Sequence, residues 1–223
     1  MSAWILHLET STKVCSVALS ENGELTECTE VVNAEFSHAE NLTLFVEDVI
    51  KKAGITLNDL SAVSVSSGPG SYTGLRIGVS TAKGFCYALN ISLIAVDSLF
   101  SLASIAAEKH KGMNLCPVID ARRMEVYNGI YTDDLLMLKE ISADIVDETT
   151  YTSFEPMVCF GDGHKKLMDI WQDRNVIFDD QIYSSAKGQV KEAYKRFING
   201  QVEDLAYFEP FYLKDFIGTK PKT

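Results

Sequence analysis

Apolar and polar positions along the chain change period several times, and each change predicts a switch between strand and helix. Residues 4–9 are an apolar run ending in an acid, 14–20 a second run and 25–32 an alternating third. Glu21-Asn22-Gly23-Glu24 supplies a hairpin turn between the last two, so three antiparallel strands are expected. Ser37-His38-Ala39-Glu40 then has the spacing of a capping box. Behind it Leu42, Phe45, Val46, Val49, Ile50 and Ala53 recur at helical period until Gly54 closes the helix. Residues 61–67 read as a strand, 74–89 as a helix, 91–96 as a strand and 98–109 as a helix.

The plan then starts over. Residues 114–120 are an apolar strand ending in an acid, 125–131 follows a short arginine-rich turn, and 135–141 can complete a second meander. Strand 157–160, the turn Gly161-Asp162-Gly163, a helix reaching Trp171, a short strand 176–178 and a last helix over 184–199 complete the pattern. Two halves, 1–110 and 111–223, each opening on a strand with a terminal carboxylate (Glu9 and Asp120), point to an α/β chain of duplicated RNase H-like lobes. A single mixed α/β sheet is the alternative.

One stretch is chemically distinctive. Ser67-Gly68-Pro69-Gly70-Ser71-Tyr72-Thr73-Gly74 joins a buried strand to a helix, where glycines allow close backbone approach and free N–H groups attract anions. It matches neither phosphate-loop pattern. Gly74 is followed by Leu75 instead of the Lys of a Walker A loop, and Gly68, Gly70 and Gly74 miss the dinucleotide spacing by one residue. A tight turn without ligand and a ligand-bearing loop both remain open. The helix beyond carries Gly74, Gly78 and Ala82 at four-residue intervals, a smooth stripe on which another helix could pack.

Composition narrows the function classes. With 46% hydrophobic residues in 223, the chain can bury a sizeable core, and a net charge of −11 argues against a free-standing nucleic-acid binder. Any RNA partner is expected to be reached through another protein. No apolar run approaches the roughly 18 residues of a membrane span, and the start lacks the pattern of a signal peptide, so the cytoplasm is the expected location. Cys15, Cys28, Cys86, Cys116 and Cys159 are scattered and read as reduced core thiols. Of the histidines, His7 reads as a core residue, His38 as a helix-start surface residue, and His110 and His164 as loop or helix-end residues. No two of the four stand at i, i+4, so no metal pair is expected.

Four segments carry a family resemblance: Ile5-Leu6-His7-Leu8-Glu9-Thr10-Ser11-Thr12, the glycine stretch through Gly78, Ile119-Asp120-Ala121-Arg122-Arg123-Met124-Glu125-Val126-Tyr127, and Glu209-Pro210-Phe211-Tyr212-Leu213. In these the chain resembles the TsaB (YeaZ) family. The resemblance implies an actin-like ATPase (ASKHA) architecture of two RNase H-like lobes. It also implies a non-catalytic subunit in tRNA threonylcarbamoyladenosine modification, paired with a metal-bearing TsaD-type transferase and joined by the ATPase TsaE. ATP or ADP and metal then belong to those partners or to the complex, and tRNA is met only through it.

The same resemblance bears on the first turn, because actin-like ATPases use an acid and hydroxyls there to handle Mg²⁺ and phosphate. Glu9, Thr10, Ser11 and Thr12 are the corresponding candidates; they are read as a remnant of that site, with nucleotide binding as the alternative. Asp120, Arg122 and Glu125 are read as an ion-pair network. The partner surface is expected on helices 37–53 and 74–89, through Leu42, Phe45, Val46, Val49, Gly74, Gly78 and Ala82. It would serve the TsaD-type partner or a second copy of the chain. The rival from another class is a self-sufficient actin-like ATPase or kinase built on Glu9 and the Gly68 loop.

Overall fold

The computed structural model describes residues 2–32 and 38–214. Ser37 of the expected capping box and the tail 215–223 lie outside the described residues. The opening meander is β1 (Trp4–Glu9), β2 (Cys15–Glu21) and β3 (Glu24–Val31). Asn22 and Gly23 take φ of 52° and 84°, the two left-handed residues that a two-residue hairpin matched to strand twist requires. Then come α1 (His38–Ala53), β4 (Leu60–Ser66), α2 (Tyr72–Leu89), β5 (Ser92–Val96) and α3 (Ser98–Lys109). The second half contains β6 (Asn114–Asp120), β7 (Glu125–Tyr131), β8 (Met137–Ile145), β9 (Met157–Phe160), α4 (Lys165–Met168), β10 (Val176–Asp179) and α5 (Val190–Ile198).

Among the described residues the strands form two five-stranded sheets, ordered β3-β2-β1-β4-β5 and β10-β9-β6-β7-β8. In each, the first three strands are antiparallel and the last two join parallel to the first. The second sheet is thus a topological copy of the first, and the duplicated plan prevails over the single-sheet alternative.

The sheets acquire their covers in an exchanged way. α1 and α2 lay Leu42, Val46, Val49, Val79 and Ala82 on Leu6, Leu8, Val17, Val63 and Val65 of the first sheet. Burying each large aliphatic side chain is worth about 1.5–3 kcal/mol. The sheet's other face, Ile5, Ala62, Ile94 and Val96, is covered by Ala193 of α5, from the far end of the chain. Conversely α3 packs Leu99, Leu102 and Ala106 against Leu115, Ile119, Tyr131 and Val158 of the second sheet. The halves 1–110 and 111–223 therefore do not coincide with the packing units: each sheet takes one cover helix from the other half. Trp171, fully buried, fills the outer face of the second sheet against Cys116, Val118 and Cys159.

Three local expectations need correction. The third strand of the second meander runs later than 135–141 because Leu135, at φ 64°, belongs to the turn. The helix before Trp171 is only Lys165–Met168. The last helix opens with a tighter 3-10 turn over Ala186–Gln189 before α5 begins. Residues 200–214, given no structure by pattern, form a strap. Glu203 bonds to Leu93 O on the open edge of β5, Leu205 and Phe208 join the first core, and Lys83 donates to Ala206 O and Phe208 O at 3.2 and 3.0 Å.

A single carboxylate fastens the exchanged segment. Glu30 on β3 accepts from Tyr183 OH at 3.0 Å, Ser185 Oγ at 2.6 Å, Lys187 Nζ at 2.9 Å and Ser16 Oγ at 3.0 Å. Burial pushes its pKa up, but Ser185 and Lys187 outweigh that and hold it below the usual value. Glu30→Ala should cost about 2–3 kcal/mol, the worth of charge-assisted bonds lost around a largely buried group. Urea denaturation checks this, and Glu30→Gln, which keeps an acceptor, should lose clearly less.

Candidate functional site

Adjacent parallel strands β1 and β4 end side by side, and the turn after each is a place where α/β folds hold ligands. Here the two turns hold each other. Thr10 Oγ1 donates to Gly74 O at 2.8 Å, and Ser71 N–H donates to Ser11 O at 2.6 Å. A Cβ placed on Gly70, Gly74 or Gly78 would strike Ser11 O, Thr10 O or Thr10 Oγ1, so the three glycines form a seat into which the Thr10–Ser11 backbone fits. Ser71 caps α2 by accepting from Gly74 N–H at 3.2 Å. Gly68, at φ 112°, lies against Phe211 O, while Phe211 N–H donates to Ser67 O at 2.7 Å. Tyr212 stacks on Tyr72 at 4.7 Å between ring centroids, so the strap closes the glycine loop from outside.

Glu9 is completely buried beneath this turn. Its Oε1 accepts from Ser11 N–H at 2.7 Å, whereas Oε2 has no partner. Burial raises its pKa, against the opposing pull of the Ser11 N–H. Gln189 arrives from the far end of the chain, donating to Leu8 O at 2.9 Å and accepting from Ser64 Oγ at 2.6 Å. His7 also lies in this polar seam, bonded to Ser20 Oγ at 2.8 Å, with burial lowering its pKa to about 3. It is a neutral core histidine, as its place in the strand predicts.

Facing the turn from the second lobe is the β6–β7 connection. Asp120 is paired with Lys166 at 2.6 Å, Glu125 with Lys214, and Lys13 of the first turn lies within electrostatic reach of Asp120 and Asp162. The expected Asp120–Arg122–Glu125 network is thus corrected. The partners of the acids are lysines, and Arg122 contributes its backbone N–H to Asp120 at 2.7 Å. Arg122 and Arg123 sit at φ 72° and 51°, successive non-glycine residues in the left-handed region, each costing on the order of 1 kcal/mol or more.

The other candidates fall as follows. Leu42, Val46, Val49, Gly74, Gly78 and Ala82 are buried against the chain's own sheet and first turn, and of the seven expected surface residues Phe45 alone is half-exposed. The stripe is smooth because Thr10 and Ser11 need the room. His110 is bonded to Asp179 at 2.8 Å, and His164 is buried against Gly161 O at 2.6 Å. The five cysteines are free thiols, four of them buried. Among the described residues no cluster of His, Cys, Asp and Glu is arranged to hold a metal, and no helix is long and apolar enough to cross a membrane. Lys13, Asp162, Lys166 and Gln189 escaped the sequence reading. Only Asp162 had a local signal, its flanking glycines.

The family described as TsaD, tRNA N6-adenosine threonylcarbamoyltransferase, matches residues 32–209. The tRNA threonylcarbamoyladenosine biosynthesis protein TsaB of Escherichia coli is 28% identical over 97% of this chain and 96% of its own. TsaB of Bacillus subtilis is 35% identical over 63% of this chain and 60% of its own. The solved structure of YeaZ from Pseudomonas aeruginosa superposes with a TM-score of 0.82 at 26% identity, covering 95% of this chain and all of that one. The chain belongs to the TsaB (YeaZ) family. It lies within the wider TsaD group, and its fold is the two-lobed actin-like ATPase architecture that the resemblance implied. Component A of (R)-2-hydroxyglutaryl-CoA dehydratase from Acidaminococcus fermentans shares this fold at a TM-score of 0.52 and 8% identity.

In this TsaB-family chain the glycine seat predicts a sign. Helix propensity alone favours alanine over glycine by about 1 kcal/mol, yet Gly74→Ala should destabilise by about 1–3 kcal/mol, because its Cβ meets the Thr10 carbonyl. Gly84→Ala, whose Cβ meets nothing within 4 Å, should stabilise by up to about 1 kcal/mol. Thermal melts of the pair check both signs. His7 carries a pH signature. Folded, it stays neutral down to about pH 3, whereas unfolded it protonates near 6.5, so stability falls as pH drops through that window. The limiting slope is about 1.4 kcal/mol per pH unit, and His7→Gln should flatten the acid limb by that amount between pH 6 and 4.

Proposed function

We propose that this chain is a non-catalytic subunit in tRNA threonylcarbamoyladenosine biosynthesis, binding and activating a TsaD-type transferase, with the ATPase TsaE joining the pair. One observation carries the non-catalytic part: the turn where an ATPase of this fold would receive phosphate is already filled from within. Thr10 Oγ1, Ser71 N–H and Glu9 Oε1 are spent on the chain's own backbone, and Gly70, Gly74 and Gly78 are spent on seating it. The pathway is supported by the relatives' names, TsaB of Escherichia coli and of Bacillus subtilis among them.

The partner surface is assigned to the outward side of α1 and α2. Leu44 is 60% exposed there, Phe45 and Ile77 are half-buried, and Gly84 is open to solvent. An apolar face whose inward side is already packed gives a partner backbone room to approach at Gly84. The same face would pair two copies of the chain when the transferase is absent.

Two measurements test this. The purified chain should neither turn over ATP·Mg²⁺ nor bind tRNA at physiological salt, while loss of its gene abolishes the modification; ATP turnover removed by Glu9→Ala would establish the rival ATPase. Gly84→Leu should leave the circular dichroism melt close to wild type while light scattering shows weaker homodimer and heterodimer together. Gly78→Leu, whose side chain enters the Thr10 seat, should melt early instead.

A further inference from the structure

We propose that Arg122 and Arg123 bind the phosphodiester backbone of the tRNA once this chain stands in the complex with its transferase partner. This rests on the function proposed above and deepens it by naming the surface that meets the RNA.

The two arginines are placed unlike the chain's other three. Arg76 reaches Tyr212 OH at 3.4 Å, Arg174 holds Glu155 at 2.6 Å and Arg196 holds Glu192 at 2.8 Å. Arg122 and Arg123 are exposed, and among the described residues neither guanidinium has a hydrogen-bond or ion-pair partner. The carboxylates beside them are already taken: Asp120 by Lys166 and Glu125 by Lys214.

The backbone of the turn is held without these side chains. Ala121 N–H donates to Glu125 O at 3.1 Å, Glu125 N–H to Arg122 O at 3.2 Å, and Lys166 Nζ to Arg123 O at 2.9 Å. Left-handed positions favour glycine or asparagine, so nothing local calls for arginine here. Its planar fork of donors suits bidentate contact with phosphate. With Lys13, Lys166 and Lys214 on the same rim, cations outnumber the carboxylates Asp120, Asp162 and Glu125 in a chain whose net charge is −11.

The shape of the rim decides between phosphate sources. Two cavities of about 430 and 500 Å³ are lined by residues around Asn90 and Leu205 and by residues of α5, and neither includes a residue of this turn. Arginines on an open rim fit an extended polyanion lying across them better than an enclosed nucleotide. The overall negative charge keeps the isolated chain from binding, and the partner supplies the remaining contacts.

The test uses the reconstituted complex of the full chain with its transferase and three versions of the turn: wild type, R122N/R123G and R122K/R123K. The first variant removes both charges and relieves both left-handed residues, so its melt should not fall below wild type. The expected result is tRNA affinity at least tenfold weaker at about 0.1 M salt, and a salt slope of log Kd shallower by about 2, with complex mass unchanged. The lysine pair should retain most of the slope. Wild-type affinity and slope in R122N/R123G would overturn the proposal. So would loss of the complex itself, which would make the turn a protein contact, and loss of ATP binding with tRNA binding intact, which would make it a nucleotide contact. A wild-type complex that fails to form or to modify tRNA overturns the function proposed above as well; one that does both, unaffected by the variant, overturns this inference alone.

Discussion

The close approach of α2 to the first turn organises this molecule. Backbone can meet backbone there only because Gly70, Gly74 and Gly78 carry no side chains, and the contact brings Thr10 Oγ1 onto Gly74 O and Ser71 N–H onto Ser11 O. It sets the distance of α2 from the sheet, hence the depth to which Val79 and Ala82 enter the first core. It also leaves Gly68 buried against Phe211 of the strap, which completes the loop. Three of the four segments that carried the family resemblance thus meet at one place, although they are separated by some two hundred residues of chain.

The second lobe repeats the device on a smaller scale. Gly161 follows β9 as Gly68 follows β4; at φ 95° it lies against Val118 O, and Gly163 sits within 3.2 Å of Asp120 N for any Cβ it might carry. In both lobes a glycine turn after the fourth strand is pressed against the end of the first. What differs is the sequel: α2 is long and packs on its own sheet, whereas α4 is a single short turn and α3 from the other half does the covering. The lobes therefore cannot separate without uncovering a sheet. Glu30, gathering Tyr183, Ser185, Lys187 and Ser16, fixes the returning segment before α5 begins.

How much of this the sequence disclosed follows from where each signal resides. α3, β6, β7 and β9 begin and end at their predicted residues, because period and flanking turn chemistry are local. The exchange of α3 and α5 was hidden. Both helices are amphipathic, and periodicity states that a face is buried without naming the sheet that buries it. The glycine stripe shows the same limit. A row of small residues predicts a close neighbour, and the neighbour is the chain's own Thr10 instead of a partner helix. Glu9 and Ser11 were visible as chemistry, but Gln189, which sits against the same seam, comes from a helix start with no motif of its own. The strap lacked a signal because one bridge at Glu203 and scattered carbonyl contacts leave no period.

A glycine-rich strand-to-helix turn ordinarily announces an anion site because helix N–H groups need acceptors. The need can also be met internally, and here it is, by the Ser11 carbonyl and the Ser71 hydroxyl. A bound anion would have to displace the Ser11 carbonyl, already seated against Gly70 and bonded to Ser71 N–H, and would approach a Glu9 carboxyl group with an unpartnered oxygen. Burial has already shifted Glu9 toward its neutral form, which lowers the cost of keeping it beneath the turn. The same residues that make the turn look receptive in sequence therefore make it self-sufficient in three dimensions. Cationic groups that no carbonyl or carboxylate of the described chain has claimed lie instead on the facing rim, Arg122 and Arg123 among them.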